Sequence, residues 1–388
     1  MYQIKKLNKI SSAVYDELHK SNYNVSDDIP LEEADGILVR SAKCHDMDIP
    51  EHLLAVARAG AGVNNIPIDR MTEKGVVVFN TPGANANAVK ELVICGMLMA
   101  SRNVIDGVAW ANTLKGTQDV AKQVEKGKSQ FVGPELMGKT FGVIGLGAIG
   151  VLVANAADAL GMKVVGFDPY LSVNSALHLS GKVTIAATID ELLKNSDYIT
   201  VHVPLMDATR NYISAPEFSK MKQGVMLLNY ARGGIVNEAA LKEALNEGKV
   251  AKYITDFPDD ELLTMDNVIC IPHLGASTPE SEENCAVMAA AELREFIETG
   301  AIRNSVNMPA CALNPPKGYR LTLIHKNLPN MVGQMTAILA AEGLNIEEMT
   351  NKSRGDIAYT VFDLNADPSE HALAKLGEID GMIKIREI

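Results

Sequence analysis

Residues 140–170 read TFGVIGLGAIGVLVANAADALGMKVVGFDPY. A short apolar run ends at Gly145. Gly147 and Gly150 then complete a GxGxxG, with Ala148 and Ile149 inside it, at the mouth of an Ala-rich stretch of helical character. A second apolar run, MKVVGF, closes on Asp168. In a strand–turn–helix setting the first glycine allows a tight turn, the second lets a pyrophosphate approach the backbone, and the third lets helix and strand pack closely. The helix start offers free N–H groups and a favourable dipole to the anion. Asp168 falls about 20 residues on, where an acid holds the adenosine ribose hydroxyls. An acid there repels a 2′-phosphate, so the pattern points to NAD rather than NADP. A second phosphate-loop pattern, GPELMGKT (133–140), lacks this setting: Lys139 and Thr140 run straight into a strand, with no helix to follow.

Downstream of Asp168 the alternation of strand and helix continues. DYITVHV, VMLLNYA, KYITD and NVICIP are rich in Val and Ile and nearly continuous in hydrophobicity, as parallel strands covered on both faces should be. Upstream, GILVR (36–40), LLAVARAG (53–60) and VVVFN (76–80) mark a smaller α/β unit. Residues 278–298 read as one long helix that crosses back to it. After a Pro-rich stretch, RLTLIHKN, helix 331–342, AYTVFDLNA, helix 369–378 and MIKIREI form a β-α-β-β-α-β, ferredoxin-like unit. The expected fold class is therefore α/β: two Rossmann-like parallel-sheet domains and a C-terminal α+β domain. The expected boundaries are 1–95 with 285–308, 96–284, a linker at 309–318, and 319–388.

The chain has 388 residues, 47% hydrophobic and 22% charged, with formal net charge −12. No global basic footprint for nucleic acid exists. No apolar run approaches the length of a membrane span, and the start MYQIKKLNKI lacks the apolar core of a secretory signal. Five cysteines without a CxxC pair fit a reducing, cytoplasmic setting.

Ionisable residues gather just past the carboxyl ends of the expected strands, where open α/β sheets bind ligands. Arg232 follows VMLLNYA, Asp256 and Glu261 follow KYIT, and His273 follows VICIP. Oxidising a 2-hydroxy acid needs a base for the hydroxyl proton, and a histidine titrating near neutrality suits that task. A carboxylate on its second nitrogen would fix the tautomer. A guanidinium would take the substrate carboxylate in a bidentate fork.

GLGAIG, HVPLMDATR, NYARGGIVNEAAL, an acid 29 residues after Arg232, and PHLGAST, in that order, resemble the NAD-dependent D-2-hydroxyacid dehydrogenases. VRSA (39–42) and RAGAGVNNI (58–66) are similar to the substrate domain of the members that oxidise 3-phosphoglycerate. The C-terminal unit resembles an ACT domain. The resemblance implies Arg232 as carboxylate anchor, His273 as acid–base and Glu261 as its orienting acid. It implies Val203, Pro204, Thr209, Ala231, Asp256 and Gly275 beside NAD, together with Asp168 and the glycine loop. Arg40, Ser41, Gly62 and Lys128 match substrate positions. His325, Asn327 and Asn345 match an L-serine effector site, in a homo-oligomer (dimer or tetramer). Leu262 stands where the family carries proline and the loop LLTMDNV is short, so Asp259 and Asp260 remain beside Glu261 as candidate partners of His273. Other 2-hydroxy acids, such as hydroxypyruvate or 2-hydroxyglutarate, and an idle NAD-dependent sensor are the alternative readings.

Overall fold

A computed structural model describes residues 1–388. The chain divides into two compact units, Met1–Ala84 with Pro279–Ile388, and Asn85–Thr278. The first unit contains a five-stranded parallel sheet ordered β2-β1-β3-β4-β5, with β1 Tyr2–Lys6, β2 Tyr23–Ser26, β3 Gly36–Val39, β4 Ala55–Arg58 and β5 Val77–Asn80. The strands β1 and β2 carry Lys, Asn and Gln and lack a clear apolar signature in sequence; β1 is placed by pairing with β3, and β2 by pairing with β1. Apolar side chains cover both faces. Ile4, Leu38, Ala57 and Phe79 lie on one, and Ile37, Val39, Val56 and Val78 on the other.

The second unit is a seven-stranded sheet, ordered β12-β11-β10-β9-β6-β7-β8 and parallel throughout. Its strands are β6 Thr140–Ile144, β7 Lys163–Phe167, β8 Thr184–Ile185, β9 Tyr198–Val201, β10 Val225–Asn229, β11 Val250–Thr255 and β12 Val268–Cys270. The strand order reverses between β6 and β9, the position at which a doubly wound sheet opens a crevice at its carboxyl edge. GLGAIG leaves β6 at that point.

Two boundaries differ from the sequence expectation. Helix Ala86–Arg102 belongs wholly to the second unit, because Val89, Val93, Met97 and Ala100 pack into its core with Phe141 and Val143. Helix Pro279–Thr299 belongs from its first residue to the first unit, where Leu293, Phe296 and Ile297 are buried and Tyr23 donates to Glu298 at 2.7 Å.

The C-terminal sheet is antiparallel, ordered β14-β15-β13-β16, with β13 Tyr319–Lys326, β14 Ile346–Arg354, β15 Ile357–Leu364 and β16 Met382–Glu387. Helices Met331–Ala341 and Glu370–Gly377 cover one face. The other face is part of the first unit's core: Ile324, Tyr359 and Val361 join Phe296 and Ile297. Cations and hydroxyls from this sheet cap the carboxyl end of helix 279–299, where carbonyls are left without partners. Tyr359 donates to the Gly300 carbonyl at 2.7 Å, Arg320 to that of Thr299 at 2.8 Å, and Arg386 to those of Phe296 and Ile297.

The segment 309–318 is not a free linker. Ile302 and Cys311 exchange both backbone hydrogen bonds at 2.9 Å, and Met308 and Cys311 are fully buried. Just before it, Asn307 accepts from the Val78 amide and donates to the Val76 carbonyl, lacing the segment to β5. Prolines forbid regular structure there, but they do not forbid edge pairing.

Candidate functional site

The glycine loop has the geometry its chemistry requires. Gly145 sits at φ +91°, and a Cβ there would lie 2.6 Å from the His202 carbonyl oxygen. A Cβ on Gly150 would lie 1.9 Å from the Gly145 carbonyl, so that position enforces close packing of loop and helix. Gly147, between them, faces open space. This is the room a pyrophosphate needs against the backbone. Asp168 follows β7 with its carboxylate already fixed: one oxygen accepts from the Leu146 amide and the other from the Tyr170 amide, both at 2.8 Å. The loop, the helix Ala148–Ala159 and Asp168 therefore fit a dinucleotide.

Beyond β9, the loop that contains Val203 and Pro204 is closed by Thr209, whose hydroxyl donates to the Pro204 carbonyl at 2.5 Å and accepts from the Met206 amide at 2.8 Å. His202, at the root of this loop, lies in an apolar setting that pushes its imidazole down to about 3, so it is neutral.

Three adjacent strands bring the chemical candidates to one edge. Arg232 follows β10, Asp256 follows β11 and His273 follows β12. Asn229, buried at the end of β10, builds the turn that presents Arg232. Its carbonyl oxygen accepts from the Ala231 amide at 3.1 Å, and its amide donates to the Arg232 carbonyl at 2.9 Å and to Tyr253 at 3.2 Å. The sequence reading missed Asn229, although an Asn two residues before a turn amide is a recognisable Asx signal. The Arg232 guanidinium is exposed, donates to the Ala231 carbonyl and has no acidic partner.

His273 takes φ +28°, and its amide donates to the carbonyls of Asp256 and Ile271, both at 3.0 Å. Its ring is exposed and tilted against Phe257, with centroids 4.7 Å apart. Asp256 is 1% exposed, and one carboxylate oxygen has no hydrogen-bond partner. Burial pushes its carboxyl up, while His273, the Gly275 amide and Arg232 pull it back. Glu261 is not brought to His273: its carboxylate lies 3.6 Å from Lys242 and is half exposed. Asp259 accepts from the amides of Glu261 and Leu262 at 3.0 and 2.9 Å, and it lies beside Glu238, whose carboxyl is pushed up first by burial and then by Asp259. Lys128 pairs with Glu125 at 2.6 Å on the surface of the same unit.

In the first unit, Arg40 and Ser41 follow β3. The amides of Arg40, Ser41 and Ala42 all converge on the Asn8 side-chain oxygen, at 3.3, 3.1 and 2.8 Å. Arg58 donates to the carbonyls of Arg40 and Gly62 and so ties the loops after β3 and β4 together. Asn8 does not stand out in sequence, because its work is done on backbone more than 30 residues away.

At the C-terminal site, Asn330 takes φ +65°, the left-handed turn that asparagine tolerates. Asn327 and Asn345 are exposed. His325 is not: both ring nitrogens are within 2.8 Å of internal partners, the Lys326 carbonyl and the Thr360 hydroxyl, and burial pushes its imidazole down.

Residues 96–275 match the family model for the D-isomer specific 2-hydroxyacid dehydrogenase NAD binding domain. The D-3-phosphoglycerate dehydrogenase of Methanocaldococcus jannaschii is 39% identical over 72% of this chain and 53% of its own length. The Escherichia coli K12 protein of that name is 33% identical over 87% of this chain and 82% of its own length. An NAD+-bound 3-phosphoglycerate dehydrogenase from Entamoeba histolytica superposes with a TM-score of 0.60 at 26% identity, over 79% of this chain and 98% of that one. The chain spans little more than half the length of several curated relatives, 53% and 52% for the archaeal and rat proteins. Residues 96–275 are thus an NAD-binding domain, and the chain belongs to the D-isomer-specific 2-hydroxyacid dehydrogenase family.

Proposed function

We propose that this chain oxidises 3-phospho-D-glycerate to 3-phosphohydroxypyruvate with NAD, the first step of L-serine biosynthesis. The observation that carries the reading is the placement of Arg232, Asp256 and His273 past three neighbouring strands, at the carboxyl edge of the sheet that bears the glycine loop. Relatives named for this activity support the substrate.

Bound NAD supplies the acceptor for the hydride that leaves C2 of the substrate. His273 takes the C2 hydroxyl proton on its exposed imidazole. Arg232, which makes no salt bridge, holds the substrate carboxylate with paired N–H donors and polarises the forming carbonyl. Asp256 keeps a buried negative charge that faces Arg232 and the imidazolium formed once His273 has taken the proton. Glu261 orients His273 once it has left Lys242; a half-exposed pair at 3.6 Å holds it only weakly. Val203, Pro204, Thr209, Ala231 and Gly275 line the cofactor. Arg40 and Ser41 take the phosphate, with Gly62 as a backbone contact. Lys128 is free for a substrate only after leaving Glu125.

Kinetics with 3-phosphoglycerate, D-glycerate, D-lactate and 2-hydroxyglutarate test the reading. The highest kcat/KM belongs to 3-phosphoglycerate; a higher value for either unphosphorylated lactate or hydroxyglutarate sinks it.

The same reading makes the C-terminal domain an ACT-type L-serine sensor in a homo-oligomer, with β14 an open edge strand. Asn327 and Asn345 are its exposed contacts, whereas His325 must first give up its internal partners. Calorimetry with L-serine on the wild type and Asn345→Ala decides: heat of binding in the wild type that the variant loses supports the site, and no heat in either removes it.

A further inference from the structure

Arg40 is already engaged. Its guanidinium Nη2 lies 2.7 Å from Glu282 Oε1, and the two side chains are 41% and 45% exposed. Glu282 stands in the first turn of helix Pro279–Thr299 and has no other hydrogen-bonding or ionic partner. The Arg40 backbone is immobilised, by Asn8 on its amide and Arg58 on its carbonyl. Only the side chain is left to choose between anions.

We propose that Glu282 is an internal competitor for the Arg40 guanidinium, a carboxylate that the substrate phosphate must displace and that thereby sets affinity and selectivity for phosphorylated substrates. This rests on the reading of Arg40 as the phosphate contact. The Glu282 contact uses one nitrogen of the fork, whereas a phosphate brings more acceptor oxygens and more charge. Displacement is cheap in two respects. A half-exposed ion pair contributes little to stability. The released carboxylate also stays in the first turn of a 21-residue helix, where the positive end of the dipole favours it. An unphosphorylated hydroxy acid offers Arg40 no second anion, so Glu282 stays in place and its identity matters little.

The test is steady-state kinetics of the full chain with NAD, using 3-phosphoglycerate and D-glycerate, on the wild type, Glu282→Gln, Arg40→Ala and the double variant. The expected result is a roughly fivefold fall in the KM for 3-phosphoglycerate relative to that for D-glycerate in Glu282→Gln, the size appropriate to opening an exposed ion pair. That gain disappears on the Arg40→Ala background and shrinks at high salt. An unchanged or raised relative KM in Glu282→Gln overturns the inference while leaving the phosphate reading intact. If Arg40→Ala affects both substrates equally, the phosphate reading itself fails, and the inference with it.

Discussion

The backbone of His273 is anchored to Asp256: the histidine amide donates to the aspartate carbonyl at 3.0 Å, while the buried Asp256 carboxyl feels the charges of His273 and Arg232. The link joins the ends of β11 and β12. It places an acid at the root of the turn that displays the imidazole, without any side-chain hydrogen bond between the two residues.

Asp256 has a cost with a definite sign. Burial is the largest influence on its carboxyl and raises it from its ordinary value. The folded state therefore binds that proton more tightly than the unfolded chain. Stability is greatest below the unfolded value and falls as pH rises through the folded one. Asp256→Asn should raise Tm at neutral pH, with the gain vanishing under acid conditions where the wild-type group is already neutral. Catalysis should fall in the same variant, because Arg232 and His273 lose their buried counter-charge. Thermal melts across pH check the first claim; a constant Tm difference at every pH contradicts it.

His273 occupies φ +28°, a region in which Asn is at ease and most other side chains are strained. His273→Asn is therefore a better probe than His273→Ala, since it removes the base without burdening the turn. Loss of general base catalysis should lower kcat by about 10²–10⁴-fold, with NADH affinity, read by fluorescence titration, nearly unchanged. Equal losses in turnover and NADH binding would show that the turn, rather than the base, had been removed.

The three loop glycines should separate folding from binding. Gly150→Ala forces a Cβ against the Gly145 carbonyl, at 1.9 Å, and should lower Tm markedly. Gly147→Ala meets nothing within 4 Å, so Tm should hold while NAD affinity falls, because the methyl group fills the space meant for pyrophosphate. Melting curves paired with NADH titrations distinguish the two; a Gly147 variant that binds normally would displace the cofactor from this loop.

Legibility in the sequence followed the range of the interactions. The strand–GxGxxG–helix–Asp168 unit was readable because each part acts on residues close in sequence. Arg232, Asp256 and His273 were readable as strand-end residues for the same reason. Asn8, which holds the amides of residues 40–42, and Asn307, which laces onto β5, act across long separations and left no local signature. The 309–318 segment was misread because its prolines are a local signal, whereas its pairing with Ile302 and the burial of Cys311 are tertiary. Glu261 kept its spacing from Arg232, yet spacing along the chain says nothing of Lys242 on the neighbouring helix.

Lys384 supplies the last test, of how the C-terminal sheet is seated. Its ammonium donates to the Leu53 carbonyl at 2.6 Å, and its stem packs on Gly75. Burial pushes its pKa down to about 8, with Glu51 opposing and Arg386 adding to the fall. The unfolded lysine titrates at roughly 10.4. Below the folded value both states are charged and the full cost of burying the cation is present. Between the two values only the folded state sheds its proton, so native stability should rise with pH across that window. Lys384→Met removes the titration, and its stability, measured by urea denaturation at a series of pH values, should lose that rise. If wild type and variant show the same slope, Lys384 is not the group responsible for the rise.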